Sequence, residues 1–138
     1  MVNTIDMQDI RHLNLFSQIT RINTTFCMEY NRTLIFCVPK PMINKALGEQ
    51  GRNLKRISEI LGTKVRIIPS PRGDMDAKSF IENLIKPVTF KNLEIKGNEM
   101  ILTAGMQSKA ILIGRDKKRL IELQGIIKDY FGKELRII

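Results

Sequence analysis

The amino-acid sequence predicts an α+β protein of two tandem units. Three observations lead there: segments of helical and strand periodicity alternate along the chain, corresponding turns recur 66 positions apart, and a proline-rich break falls near residue 72. With 138 residues and 43% hydrophobic content the chain can bury one ordinary core or two small ones. The repeat decides for two.

In the first unit, Met7, Ile10, Leu13 and Phe16 fall at helical spacing, predicting a helix from Ile5 to Phe16 with Thr4 or Asp6 as its cap. Phe26, Met28 and Tyr30 then alternate with Thr25, Cys27 and Glu29. After the turn Asn31-Arg32, Leu34 to Val38 is β-branched and aromatic, so the two runs read as a hairpin. Pro39 and Pro41 end it. Pro41 suits the first turn of a short helix carrying Met42, Ile43, Ala46 and Leu47, which stops at Gly48. Beyond the loop Gly48-Glu49-Gln50-Gly51, a helix from Arg52 to Leu61 places Leu54, Ile57, Ile60 and Leu61 on one face. Arg52, Lys55, Arg56 and Glu59 take the other. Gly62 caps that helix, and a strand follows over Lys64 to Ile68. Two prolines then stiffen a linker over about residues 69–75, so the first domain is placed at 1–71 and the second at 72–138.

The same order recurs in the second unit. Asp74 and Asp76 are placed to cap a helix bearing Phe80, Ile81, Leu84 and Ile85. Strands follow around Leu93 to Lys96 and Met100 to Thr103, joined at Gly97-Asn98, and then a short helix from Gln107 to Ile113. Asn31 recurs as Gly97 and Gly48 as Gly114, both 66 positions on. Arg66-Ile67-Ile68 recurs as Arg136-Ile137-Ile138, 70 positions on. The second copy therefore carries four extra residues in its last helix, about one turn, which lengthens it without rotating its apolar face. Leu120, Leu123, Ile127, Tyr130 and Phe131 keep that face. Each unit reads α-β-β-α-α-β, a three-stranded sheet with helices packed on one face.

Composition narrows the function. Lys and Arg number 23 against 14 Asp and Glu, a formal charge of +9, which favours a polyanionic partner. A membrane binder would show a long amphipathic helix with aromatic anchors, and the chain has no Trp. No apolar run reaches the roughly 18 residues of a membrane span, and Met1 to His12 lacks a signal-peptide core, so a cytoplasmic protein is expected. Two cysteines and one histidine are too few for a four-ligand zinc site. Cys27 and Cys37 are expected as buried small hydrophobes, His12 as a surface residue, and no metal or cofactor is expected. One histidine assembles no nucleophilic triad, and neither a phosphate loop with GK[ST] nor a dinucleotide fingerprint occurs, so the chain is not expected to be an enzyme or to take a small-molecule substrate. Phe16, Phe26, Phe36, Phe90 and Phe131 fall on apolar faces and are assigned to the core; base recognition would rest on an apolar groove instead.

The glycine loops carry the remaining signal. A GxxG turn between helices brings bare backbone close to a ligand, and the next helix directs amides and its positive end at the same point. The basic residues beside the first loop are Arg52, Lys55 and Arg56; those beside the second, Gly114-Arg115-Asp116-Lys117, are Arg115, Lys117, Lys118 and Arg119. Each loop is thus expected to open onto a basic helical face. An ordinary helix–helix turn remains the plain alternative, and the repeated context weighs against it. In this context the chain resembles the KH family, whose loop clamps about four nucleotides of single-stranded nucleic acid. The order looks like the type II arrangement, since a type I unit would need a further strand and helix after Ile138. Two adjacent type II units resemble the archaeal NusA-like transcription factors. The likeness is carried by Ala46-Leu47-Gly48-Glu49-Gln50-Gly51-Arg52-Asn53-Leu54 and by Ala110-Ile111-Leu112-Ile113-Gly114-Arg115-Asp116-Lys117. Bacterial relatives add a polymerase-binding domain and an OB-fold domain, neither of which is recognised here.

The resemblance implies contact with single-stranded RNA near RNA polymerase, affecting elongation or termination, through Gly48, Glu49, Gln50, Gly51, Arg52, Lys55, Arg56, Gly114, Arg115, Asp116, Lys117 and Lys118. Two departures stand out. Glu49 puts a negative charge in the first loop, and in the second Lys117 replaces the closing glycine, with Asp116 beside it. The first unit is therefore expected to grip RNA more tightly. The competing expectations are a KH-type adaptor in ribosome assembly or RNA processing, and a degenerate-KH scaffold that binds proteins.

Overall fold

The computed structural model describes the backbone of residues 7–24 and 26–138, and side chains from Asp9 onward. The expected caps Thr4 and Asp6, the side chain of Met7, and Thr25 lie outside the described residues. The fold is α+β, with six α-helices and two three-stranded sheets among the described residues. These fall into two compact units that meet in sequence between Pro71 and Arg72.

The first unit runs α1 (Met7–Thr20), β1 (Cys27–Tyr30), β2 (Thr33–Val38), α2 (Ile43–Leu47), α3 (Arg52–Leu61) and β3 (Lys64–Pro69). Helix α1 extends a turn past the expected end at Phe16 and ends at Thr20, whose Oγ1 donates to Phe16 O at 2.8 Å and accepts from Ile22 N at 3.2 Å. Of its expected inward stripe, Phe16 is fully buried and Leu13 packs against the core, whereas Ile10 is 45% exposed. Asn31 and Arg32, both at positive φ, close the β1–β2 hairpin as a primed turn suited to strand twist. Strand β2 pairs antiparallel with β1 and parallel with β3, Leu34 opposite Val65 and Phe36 opposite Ile67. As the central strand it is buried along nearly its whole length. Leu34, Phe36 and Val38 meet Phe16, Ala46, Ile57 and Val65 in one core, with the rings of Phe16 and Phe36 stacked at 4.4 Å. In α3, Ile60 is 55% exposed and so lies off the expected inward face.

The second unit repeats the order as α4 (Ala77–Ile85), β4 (Asn92–Lys96), β5 (Glu99–Thr103), α5 (Met106–Ile113), α6 (Lys118–Phe131) and β6 (Glu134–Ile137). Strand β5 is central, antiparallel to β4 and parallel to β6. Helix α6 has 14 residues against 10 in α3, and the register carries the difference: Thr33 pairs with Lys64, whereas Glu99 pairs with Glu134. The extra turn brings Tyr130 and Phe131 against Phe80 of α4, at centroid distances of 4.9 and 5.8 Å.

Several expectations need correcting. Strand β3 continues through Pro69, which pairs with Val38, so the connecting segment is shorter than residues 69–75. Pro fits there because it ends the strand, and Ser70 N supplies the next bond to Val38 O at 2.8 Å. Neither Asp74 nor Asp76 caps α4 through its side chain. The Asp76 carboxylate instead accepts from Arg72 N, Nε and a terminal guanidinium nitrogen at 2.8–3.1 Å, a forked charge-assisted contact that outcompetes a neutral helix amide. Asp74 faces Lys133 at 3.6 Å. Of the five phenylalanines assigned to the core, Phe16 and Phe36 are fully buried, while Phe26, Phe90 and Phe131 are half-buried. Cys37 is buried as expected, but Cys27 is only half-buried. Among the described residues no helix is long and apolar enough to cross a membrane.

Candidate nucleic-acid interface

The loop between α2 and α3 is one tight turn. Gly48 N donates to Asn44 O at 3.1 Å, ending α2, and Gly51 N donates back to Gly48 O at 3.1 Å. Arg52 N donates to Glu49 O, and α3 begins. The chain makes this reversal only by passing through left-handed backbone. Gly48 sits at φ 77°, ψ 172°, Gln50 at φ 55°, ψ 28°, and Gly51 at φ 72°, ψ 21°. The first of these regions is essentially closed to residues with a Cβ.

The second loop has the same backbone, residue for residue. Gly114 lies at φ 73°, ψ 174°, Asp116 at φ 57°, ψ 26°, and Lys117 at φ 61°, ψ 21°. Gly114 N donates to Ala110 O and Lys117 N to Gly114 O. Loss of the closing glycine has therefore not changed the turn. The reason is visible at Gly51, where an added Cβ would meet nothing within 4 Å; the last loop position opens to solvent. What Lys117 costs is backbone strain. Replacing Lys117 by Gly is expected to stabilise the second unit by about 1 kcal/mol, read as a higher urea midpoint; an unchanged midpoint would show that Lys117 is not strained.

Two residues outside the twelve expected site residues shape these loops from below. An added Cβ on Gly48 would lie 2.8 Å from Asn53 Cγ, and one on Gly114 would lie 2.7 Å from Arg119 Cγ. Asn53 and Arg119 stand in corresponding places 66 residues apart, so the repeat itself was the available signal. Asn53 Nδ2 also reaches Lys45 O, at 3.4 Å, across the loop.

The twelve expected site residues all lie in the loops or the first turns of the following helices. Glu49, Gln50, Arg52, Lys55 and Arg56 are exposed, as are Arg115, Asp116, Lys117 and Lys118; Gly48, Gly51 and Gly114 are half-buried. Beside the first loop, Arg52, Lys55 and Arg56 line an open depression of about 560 Å³ with Glu49, Gln50 and Glu59. A neighbouring groove of about 470 Å³ runs between α3 and β3, lined by Leu54, Val65, Ser58 and Arg66, and shares Lys55 and Glu59 with it. A cationic hollow thus continues into a partly apolar groove.

Beside the second loop, Arg115, Lys117 and Lys118 are exposed as expected, and Arg119 is not. Arg119 is turned inward and paired with Glu122, its side chain only 15% exposed, with its stem lying where a Cβ on Gly114 would point. Where α3 carries Lys55 and Arg56, α6 carries Ile121 and Glu122. Positive charge there is confined to Arg115, Lys117 and Lys118. Met106, Ile111 and Ile121 are 90%, 57% and 63% exposed on the helices on either side of this loop.

No family model matches the chain. It is 26% identical over 100 residues to the probable transcription termination protein NusA of Methanococcus vannielii, a stretch covering 71% of this chain and 56% of that protein. It is 24% identical over 135 residues to the probable transcription termination protein NusA of Halococcus morrhuae, covering 91% of this chain and 95% of that protein. The chain thus spans little more than half the length of the first of these relatives and nearly all of the second. The crystal structure of APE1850 shares the fold, with a TM-score of 0.67 at 23% identity over 97% of this chain and 100% of that one. The resemblance to archaeal NusA-like proteins stands on these sequence matches.

Proposed function

We propose that the two units are type II KH domains in tandem, residues 1–71 and 72–138, and that the protein binds single-stranded RNA as a NusA-like factor in transcription elongation or termination. The observation that carries this reading is the pair of loops, which hold one main-chain conformation at corresponding positions and stay exposed at a helix start. The strand order, with the last strand of each unit parallel to the central one, supports the type II reading. The names of the two archaeal relatives support the transcriptional role and RNA polymerase as a partner.

The turn itself uses the amides of Gly51 and Arg52. The main-chain donors assigned to a phosphate are therefore those of Glu49 and Gln50, with Arg52, Lys55 and Arg56 neutralising neighbouring phosphates. The strand's bases would lie along the α3–β3 groove, where Leu54 and Val65 supply apolar contact. In this scheme the protein acts by binding RNA, as a factor and not as an enzyme.

The test is a titration of labelled single-stranded RNA at several salt concentrations. Log affinity should fall with log salt by roughly 0.7 per phosphate neutralised, a slope near 2 if the three cations of the first unit each engage one. A salt-independent affinity would remove the electrostatic basis of the proposal. A second reading applies to the second unit alone. Its exposed Met106, Ile111 and Ile121 favour a protein-binding role there; association with purified RNA polymerase in the absence of RNA, lost on Ile121→Glu, would support it.

A further inference from the structure

Helix α1 and strand β1 bring together three residues that the RNA reading does not use. Asp9 and His12 are three apart and so share one side of α1. Cys27 is the first residue of β1. One ligand atom from each of Asp9, His12 and Cys27 lies within 4.8 Å of the other two, and all three residues are half-buried. Cys27 Sγ stands 3.8 Å from Asp9 Oδ1. An ion bound to both at ordinary zinc distances, about 2.3 Å to sulfur and 2.0 Å to oxygen, would hold them about 3.5 Å apart. That pair therefore needs only a few tenths of an ångström of closure, and the His12 ligand atom lies within 4.8 Å of both. An independent observation points the same way: among the described residues His12 Nδ1 is buried without a hydrogen-bond partner, a state that costs free energy unless something supplies a contact.

We propose that Asp9, His12 and Cys27 form a binding site for one borderline-soft divalent cation of the zinc class. The donor set of one thiolate, one imidazole and one carboxylate suits zinc or cobalt; magnesium and calcium prefer oxygen alone. Water completes the shell, since among the described residues no fourth His, Cys, Asp or Glu joins the group. The ion's role is structural. It ties α1, which sends Phe16 into the core, to the edge strand of the sheet. A metal-free alternative exists, in which the Cys27 thiol donates weakly to Asp9, but it leaves His12 Nδ1 unsatisfied.

Cobalt(II) titration of the full chain, freed of metal and kept reduced, tests the site. One equivalent should give a thiolate-to-cobalt charge-transfer band, displaced by zinc, and zinc should raise the melting temperature. Cys27→Ser should abolish the band and the thermal shift, His12→Gln and Asp9→Asn should each weaken binding at least tenfold, and Cys37→Ser should leave both signals intact. Absence of the band, or its survival in Cys27→Ser, would overturn the proposal. So would equal loss in Cys37→Ser. Melting each variant without metal separates lost ligation from a damaged fold, because only the zinc-dependent increment reports on the site.

Discussion

Gly48→Ala is expected to lower stability by about 2 to 3 kcal/mol, a large part of the 5–15 kcal/mol that holds a typical domain together. Two effects add. The backbone at Gly48, φ 77° and ψ 172°, lies where a Cβ collides with its own main chain. The methyl group would also sit 2.8 Å from Asn53 Cγ and 3.1 Å from Asn53 N, so the start of α3 has to move. Gly51→Ala is the control. Gly51 is left-handed too, at φ 72°, but ψ is 21° and the space beside it is open. Its replacement should cost only about 1 kcal/mol. Urea denaturation of both variants decides the matter: equal costs would mean that the two glycines are not doing the different jobs the loop assigns them. The same ordering should hold in the second unit, where Gly114 is pressed against the stem of Arg119 and the open position has already been given to Lys117.

That asymmetry explains what was legible in the sequence. Repetition of Gly48 as Gly114 reports a steric requirement, since only glycine fits, and such a requirement survives in one chain without any alignment. The four-residue offset that follows was equally readable. It appears as α6 outrunning α3 by one turn while Gly62 and Gly132 close both helices in left-handed conformation, at φ 67° and 66°. What failed were assignments that depend on which of several partners a polar side chain chooses. Asp76 had a helix start within reach and took Arg72, because a guanidinium fork offers charged donors. Arg119 read as part of a basic face and instead packs beneath Gly114 and pairs with Glu122. Cys27 read as a small core residue, and His12 as a surface one; their approach to each other depends on how α1 lies against β1, a tertiary fact with no local periodicity behind it.

Gln50→Asp should weaken RNA binding by roughly tenfold, or about 1.4 kcal/mol, while leaving the fold unchanged. Gln50 lies in the left-handed region, at φ 55°, which Asp tolerates better than most residues, and its side chain is exposed. The substitution therefore changes charge with little change in backbone energy. A carboxylate about 4 Å from a phosphate costs about 1 kcal/mol in water and more where solvent is partly excluded, which sets the expected size. The second unit has already made this substitution, because Asp116 occupies the corresponding position at φ 57°, ψ 26°. If loop charge sets the difference between the units, Asp116→Gln should tighten RNA binding of the full chain and steepen its salt dependence. Gln50→Asp should bring the first loop down to the level of the second. Anisotropy titrations of the two single variants and the double variant, with circular dichroism as the check on folding, measure all three. Should Gln50→Asp bind RNA as the parent does, phosphate does not sit at the first loop, however exposed that loop is.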